Sequence, residues 1–459
     1  MMLSRSAISR NAPRALQNAA SRRGMASAAT PGLQYDVSES AGLKIANREP
    51  AGVTGTLALV AKAGSRYQPF PGFSDALELF AFQSTLKRSA LRITREVELL
   101  GGEFSSTHSR ENVVLKTKFL ANDLPYFVEL LAEVASQTKY PSYEWNEHIA
   151  KLLKLRQATL ANDPEAMAVD AVHGLAFHKG LGESITPSAH TPYDKYLSAE
   201  AVAEFAQSAY AKSNIALVGS GVSSSDLSKW VGDFFKGVPG TGTSGQYQTK
   251  SNTASKYYGG EQRVSTKAGN AVAISFPGSG AFGTSSYKPA ASVLAALLGG
   301  EPSIKWTPGF SLLGQATQGF RQVRVSTKNY TYSDAGLITI SLSGKAEQVA
   351  SAGKSAVDVL KKAAAGEIST ENIKKATALA KFRALESAQT LETGLEATGS
   401  ALINGSKPYQ IGEVAQTVDS VTEAQIKDLA KTLLSGKASV ASVGDLAQLP
   451  YASDLGLTV

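Results

Sequence analysis

The feature that most constrains this 459-residue chain is an internal repeat. Leu197-Ser198-Ala199-Glu200-Ala201-Val202 precedes a helix-like stretch and then the apolar run Ile215-Ala216-Leu217-Val218-Gly219. Val421-Thr422-Glu423-Ala424-Gln425-Ile426 stands in the same relation to Ser439-Val440-Ala441-Ser442-Val443-Gly444. Ser198 and Thr422 are 224 residues apart, Gly219 and Gly444 are 225 apart, and Ile149 and Ile373, each opening a long helical pattern, are again 224 apart. In both copies a Ser or Thr caps a helix that carries an acid in its first turn. Three landmarks at a near-constant offset predict two homologous domains, each burying its own core. They are placed at residues 35–236 and 263–459. A Gly/Ser-rich linker over 237–262 joins them, and its Gly237 to Gly245 stretch reads as flexible and turn-rich.

Within each half, strand and helix patterns alternate. Gly55 to Lys62 is an apolar run of buried-strand type, and Val113 to Phe119 alternates as a half-buried strand does. Asp75 to Phe82 reads as a helix, and Arg95 to Leu100 ends another at the Gly101-Gly102 stop. Leu124 to Thr138 and Trp145 to Asn162 are long amphipathic patterns. The expected fold class is therefore α+β, each domain a mostly antiparallel sheet with helices packed on one face.

The ends and the composition narrow the function. Arg5, Arg10, Arg14, Arg22 and Arg23 precede the first acid, Asp36, and without them the net charge of +7 falls to +2. An Arg-, Ser- and Ala-rich, acid-free segment is the composition of a mitochondrial transit peptide, assigned to residues 1–25. The near-neutral remainder shows no basic patch with interleaved aromatics, so no nucleic acid is expected as a partner. No run of 18 apolar residues is present, so no transmembrane helix is expected. With no cysteine in the chain, disulfides, thiolate metal sites, iron–sulfur ligation and a cysteine nucleophile are excluded.

Several short stretches, taken in order, carry a family resemblance. They are Ala63-Gly64-Ser65-Arg66-Tyr67; Asp75-Ala76-Leu77-Glu78-Leu79; Leu99-Leu100-Gly101-Gly102; Ser109-Arg110-Glu111-Asn112; Asp163-Pro164; His173 to Phe177; and Tyr332 to Leu337. Over about residues 35–450 their order and spacing resemble the pitrilysin/insulinase-like inverted zinc peptidases, which include the mitochondrial processing-peptidase subunits and the core proteins of respiratory complex III. The active members read His-x-x-Glu-His, two imidazoles on one helix face and a general base between them, with a further Glu from a later helix completing the zinc site. Here Asp75 stands for the first His, Leu79 for the second, and Glu78 remains at the position of the base. Counting back from Pro164 puts Arg156 at the third ligand position, and no carboxylate lies between His148 and Asn162. These four positions, Asp75, Glu78, Leu79 and Arg156, are a vestigial site, with no catalytic residue and no metal. A salt bridge from Arg156 to Asp75 or Glu78 is one expectation for it. The five histidines, His108, His148, His173, His178 and His190, include no i, i+4 pair and are read as surface or capping residues. There is no Gly-x-Ser-x-Gly elbow, and Gly219-Ser220-Gly221 is a strand-end turn.

Two branches of the family lack the zinc motif. One is structural, a complex III core subunit; the other is the presequence-binding α-type subunit of the processing peptidase, which carries a long glycine-rich loop. The comparable place here, Leu298 to Gly309, has two adjacent glycines followed by Glu301, Pro302, Trp306 and Pro308 and resembles the shorter stretch of the structural branch. The resemblance thus implies a noncatalytic scaffold on the matrix side of the mitochondrial inner membrane. Its partners would be core protein 1 and other complex III subunits. It would hold no cofactor, the haems and iron–sulfur centre belonging to those partners. The α-type subunit is the alternative.

Overall fold

The computed structural model describes residues 34–459 except 51, 243–244, 301–308, 321 and 387–393. The proposed transit peptide and most of the Leu298 to Gly309 stretch lie outside the described residues.

Eleven strands form two sheets among the described residues. The first contains β1 (Asp36–Ser40), β2 (Leu43–Arg48), β3 (Thr54–Ala61), β4 (Glu103–His108), β5 (Val113–Leu120) and β6 (Ile215–Ser220), in the order β1-β2-β6-β3-β5-β4. The second contains β7 (Gly260–Ser265), β8 (Asn270–Pro277), β9 (Val323–Thr331), β10 (Gly336–Gly344) and β11 (Ser439–Gly444), in the order β7-β11-β8-β10-β9. Setting β1 aside, the two orders are the same path traced twice. Each has one parallel pair, β2 with β6 and β7 with β11, and is otherwise antiparallel. The repeat seen in the sequence is thus a repeat of topology. The apolar runs ending in Gly219 and Gly444 are β6 and β11, buried along their whole length and flanked by strands on both sides. Strands covered on both faces read as continuous apolar runs.

The longer helices of the first half are α1 (Phe73–Phe80), α2 (Ala90–Leu99), α3 (Leu124–Gln137), α4 (Ala150–Ala161), α5 (Pro164–Phe177), α6 (Ala199–Ala209) and α7 (Ser224–Phe234). Those of the second are α8 (Pro289–Leu298), α9 (Ala346–Ala365), α10 (Thr370–Glu386), α11 (Leu395–Ile403), α12 (Ile411–Asp419) and α13 (Glu423–Ser435). The repeated caps form as expected. Ser198 accepts from the Ala201 amide at the start of α6, and Thr422 with Gln425 closes a capping box on α13. Phe73, Phe127, Leu131 and Phe205 pack from their helices onto Leu57, Leu59, Leu115 and Leu217 of the first sheet. Leu294, Leu297, Val349 and Leu429 do the same on Ile274, Ile338 and Ile340 of the second. None of the described helices is long and apolar enough to cross a membrane.

The opposite face of each sheet is covered from the other half of the chain. Helix α5 lays Ala168 and Val172 on Ala271, Ala273, Ala441 and Val443 of the second sheet. Helix α11 returns the contact, laying Leu395 and Leu402 on Ala46, Ala58, Val60, Ala216 and Val218 of the first. Small residues on both sides bring backbone close to backbone. At Gly399 of α11, a Cβ would lie 2.4 Å from Val60 Cγ2. Gly399→Ala is therefore expected to overpack this contact by about 1–3 kcal/mol. An unchanged urea midpoint for that variant would show that α11 is not seated this closely.

The segment between the halves contains no strand or helix among its described residues from Val238 to Gly259. It is nonetheless pinned to the first half. Lys250 N donates to Tyr67 O at 2.8 Å, Tyr247 N donates to Glu204 Oε1 at 3.0 Å, and the Tyr247 ring lies 5.2 Å from that of Phe73.

Candidate functional site

Helix α1 starts at Gly72, whose φ of +102° only glycine adopts without strain, and buries nearly its whole length. This carries two acids into the interior. Asp75 is fully buried, Glu78 nearly so, and Leu79, one residue on, is half-buried at the edge of the core. Three residue types then converge on these carboxylates from separate elements.

Arg156 reaches over from α4. Its Nη1 donates to Asp75 Oδ1 at 3.1 Å and to Glu78 Oε2 at 2.9 Å, and its Nη2 donates to Glu78 Oε1 at 2.7 Å. The ion pair anticipated from the sequence is present, with both acids and not one. The guanidinium is the cation that the two carboxylates share, and a planar fork suits this bidentate geometry. His108, the last residue of β4, comes from the other side. Its Nδ1 contacts Glu78 Oε2, its Nε2 faces Ile185 O at 3.3 Å, and Asp75 Oδ2 lies 3.7 Å from Nε2. Acceptors on both sides of the ring favour the doubly protonated imidazole. Thr186 Oγ1 donates to Asp75 Oδ1 at 3.4 Å, and Ser106 Oγ donates to the carbonyl of Glu78 at 3.0 Å. Two carboxylates, a guanidinium and an imidazolium then sum to no net charge.

This placement corrects the reading of His108 as a surface residue. A search for helical i, i+4 pairs could not find it, because it lies on a strand. The available signal was alternation along β4, which puts Ser106 and His108 on one face, the face that meets α1. His173 also departs from the surface reading. It is buried in α5 and faces Val169 O at 2.7 Å and the Tyr332 hydroxyl at 2.8 Å, so it sits between the halves. Burial, and then the charge of Arg110, push its pKa well down, so it is neutral there. His178 caps α5, and His148 and His190 are exposed.

Burial drives Asp75 up, against the pull of His108 and Arg156. Burial also opposes ionisation of Glu78, but hydrogen bonds from His108 and Arg156 hold it below its ordinary range. For His108 the burial penalty is outweighed by Glu78 and Asp75, and its pKa rises. A raised histidine stabilises the fold below its ordinary value near 6.5 and loses that contribution as pH rises through the folded value. The raised Asp75 has the same sign. Stability is therefore expected to fall as pH is raised from 6.5 toward 9, and His108→Gln is expected to flatten the profile. Urea denaturation at pH 6 and pH 9 measures this, and an identical pH dependence in both proteins would refute the assignment.

What the cluster can do chemically follows from its occupancy. Among the described residues, no three His, Asp or Glu side chains are arranged to hold a metal ion. Asp75, Glu78 and His108 do meet, but the Arg156 fork is bonded to both carboxylates. A permanent cation there repels a metal ion, and Glu78 has no metal-bound water to activate.

The family motifs around Arg66, Arg110, His173 and Asp334 gather at the junction of the halves. Arg66 Nη1 donates to Glu111 Oε1 at 2.8 Å, while the two Nη atoms grip Asp334 at 2.8 and 2.7 Å; Nη2 also donates to Thr253 O at 2.9 Å. Ser333 completes the link, its amide donating to Glu111 Oε2 at 2.9 Å. Arg110 donates to Asp170 Oδ1 at 2.6 Å, and Ser109 and Asn112 donate to Glu396 on α11 at 2.7 and 3.1 Å. Gly64 permits the approach, since a Cβ there would lie 2.5 Å from the Glu111 backbone. A cavity of about 590 Å³ lies beside this junction, bounded by Arg110, Asp170, His173 and Tyr330.

A duplicated α+β scaffold with a peptidase-like helix, whose acids are neutralised from within, defines a class of inactive metallopeptidase homologues. The chain belongs to the insulinase family, peptidase family M16. That family's model matches residues 45–187, and the peptidase M16 inactive domain matches residues 196–379. The chain is 49% identical over 463 residues to the mitochondrial cytochrome b-c1 complex subunit 2 of Neurospora crassa, with both chains covered completely. It is 36% identical to the protein of that name from Yarrowia lipolytica, covering 94% of this chain and 99% of the other, and 30% identical to the human one, covering 90% of each.

Proposed function

We propose that this chain is a noncatalytic structural subunit of mitochondrial ubiquinol–cytochrome c reductase, complex III of the respiratory chain, of the core protein 2 type. Its role is assembly and stability of the complex. The observation that carries this reading is the Arg156 fork on Asp75 and Glu78, a built-in cation where a peptidase of this family needs an exchangeable metal and its water. The similarity of the whole chain to subunit 2 proteins favours this reading over the α-type processing-peptidase subunit.

In this reading residues 1–25 are a transit peptide, and the mature chain consists of two peptidase-like domains, 35–236 and 263–459, joined by 237–262, of which Gly260 to Gln262 already begin β7 of the second sheet. It sits on the matrix side of the inner membrane without a membrane-spanning helix of its own. It pairs with core protein 1 and supports the other subunits, which hold the haems and the iron–sulfur centre. Asp75, Glu78, Leu79 and Arg156 are the remnant of a zinc site, now a structural cluster. Native electrophoresis of solubilised mitochondria tests the assignment. The chain is expected to migrate with the cytochrome-bearing complex; migration as a soluble matrix heterodimer would refute it.

A further inference from the structure

We infer that the outer edge of β9, from Thr327 to Thr331, receives an extended acidic segment of a neighbouring subunit as an added strand. The partner's origin in an assembled complex rests on the function proposed above; the docking edge itself rests on this chain's geometry.

Among the described residues, strand β9 ends its sheet and has β10 on one side only. Its first part is anchored, with Val323 and Val325 in the core. From Thr327 onward it runs beside a cavity of about 500 Å³. All five residues from Thr327 to Thr331 touch that cavity. Successive strand side chains point to opposite faces, so a space met by five in a row lies along the strand's edge and not on one face. Phe282 and Tyr409, packed edge to face at 5.9 Å, form part of the far wall, with the end of α10 at Arg383.

Two features mark this edge as incomplete. Among the described residues, Thr327 Oγ1 and Asn329 Oδ1 are buried without a hydrogen-bond partner, although the Asn329 amide nitrogen donates to Ser292 Oγ at 3.5 Å. Unmade hydrogen bonds at buried groups are costly; polar side chains of an incoming segment would supply donors to these two oxygens, while its backbone pairs with that of β9. A nine-residue edge strand without proline is also the kind that pairs with another chain unless it is covered. The partner's charge follows from the rim. Lys328 and Arg383 are exposed, both border the cavity, and neither has an ion-pair partner among the described residues. Two unpaired cations beside a free strand edge suit carboxylates on the incoming segment.

The test uses the full chain within the assembled complex. A benzoylphenylalanine photoprobe is placed at Lys328 and, separately, at Arg383, both exposed positions where folding is retained. Both probes are expected to crosslink to one acidic segment of the same neighbouring subunit, read by mass spectrometry. Lys328→Glu is expected to lower the yield from the Arg383 probe about tenfold. Absence of crosslinks from both positions, crosslinks only to lipid or within this chain, or a yield unchanged by Lys328→Glu would overturn the inference. If the chain is absent from the complex altogether, it is the proposed function that fails instead, so the two failures are distinguishable.

Discussion

Replacing Arg66 with Ala is expected to destabilise the protein by about 3–5 kcal/mol, the usual consequence of removing one partner from a buried ion pair. The Arg66 side chain is only 3% exposed and bonds at once to Glu111 of the first half and Asp334 of the second. Without it, among the described residues, Glu111 would remain buried with only Ser333 to satisfy it, and Asp334 would keep only Ser255. The loss is also expected at a particular place, the seam between the halves. Hydrogen exchange should accelerate first in α5 and α11, the exchanged helices that cross the seam, ahead of the sheet interiors. A variant as stable as the parent in urea, or one that loosens uniformly, would mean that the seam does not depend on this clamp.

The second large effect is expected at the remnant site. Arg156→Ala removes the guanidinium from two acids, one fully buried, and is expected to cost about 2–4 kcal/mol. The lower end allows for solvent at Arg156 itself, whose side chain is 32% exposed. The relief of that cost is the sharper test. In the double variant Arg156→Ala with Glu78→Gln, the stranded charge is gone, so the second substitution should restore part of what the first removed. Purely additive losses in a double-mutant cycle would show that Arg156 does not serve as the counterion.

Much of this architecture is legible in the sequence. The β6 and β11 runs and the Ser198 and Thr422 caps are local features, and a constant offset between them needs no knowledge of packing. The pairing of Arg156 with α1 followed from substitution at corresponding motif positions. The exchange of α5 and α11 was not legible. Periodicity tells that Ala168 and Val172 face something apolar, but a small-residue stripe fits either sheet equally well. The contacts of the linker were not legible either, since Tyr247 on Phe73 and Lys250 on Tyr67 are set by partners far away in the sequence. His108 was missed because its partners lie on a helix and its own position on a strand, a relation that single-element spacing does not encode. The motif stretches around Arg66, Arg110 and Asp334 proved to be neighbours in space, which explains why their order in sequence carried information that no one of them held alone.

Depletion of the chain in living mitochondria, with two readouts from the same sample, tests the central claim most directly. A structural subunit predicts loss of assembled, spectrally intact complex III while imported precursors are processed at the normal rate. Intact complex III with accumulating unprocessed precursors would contradict the account.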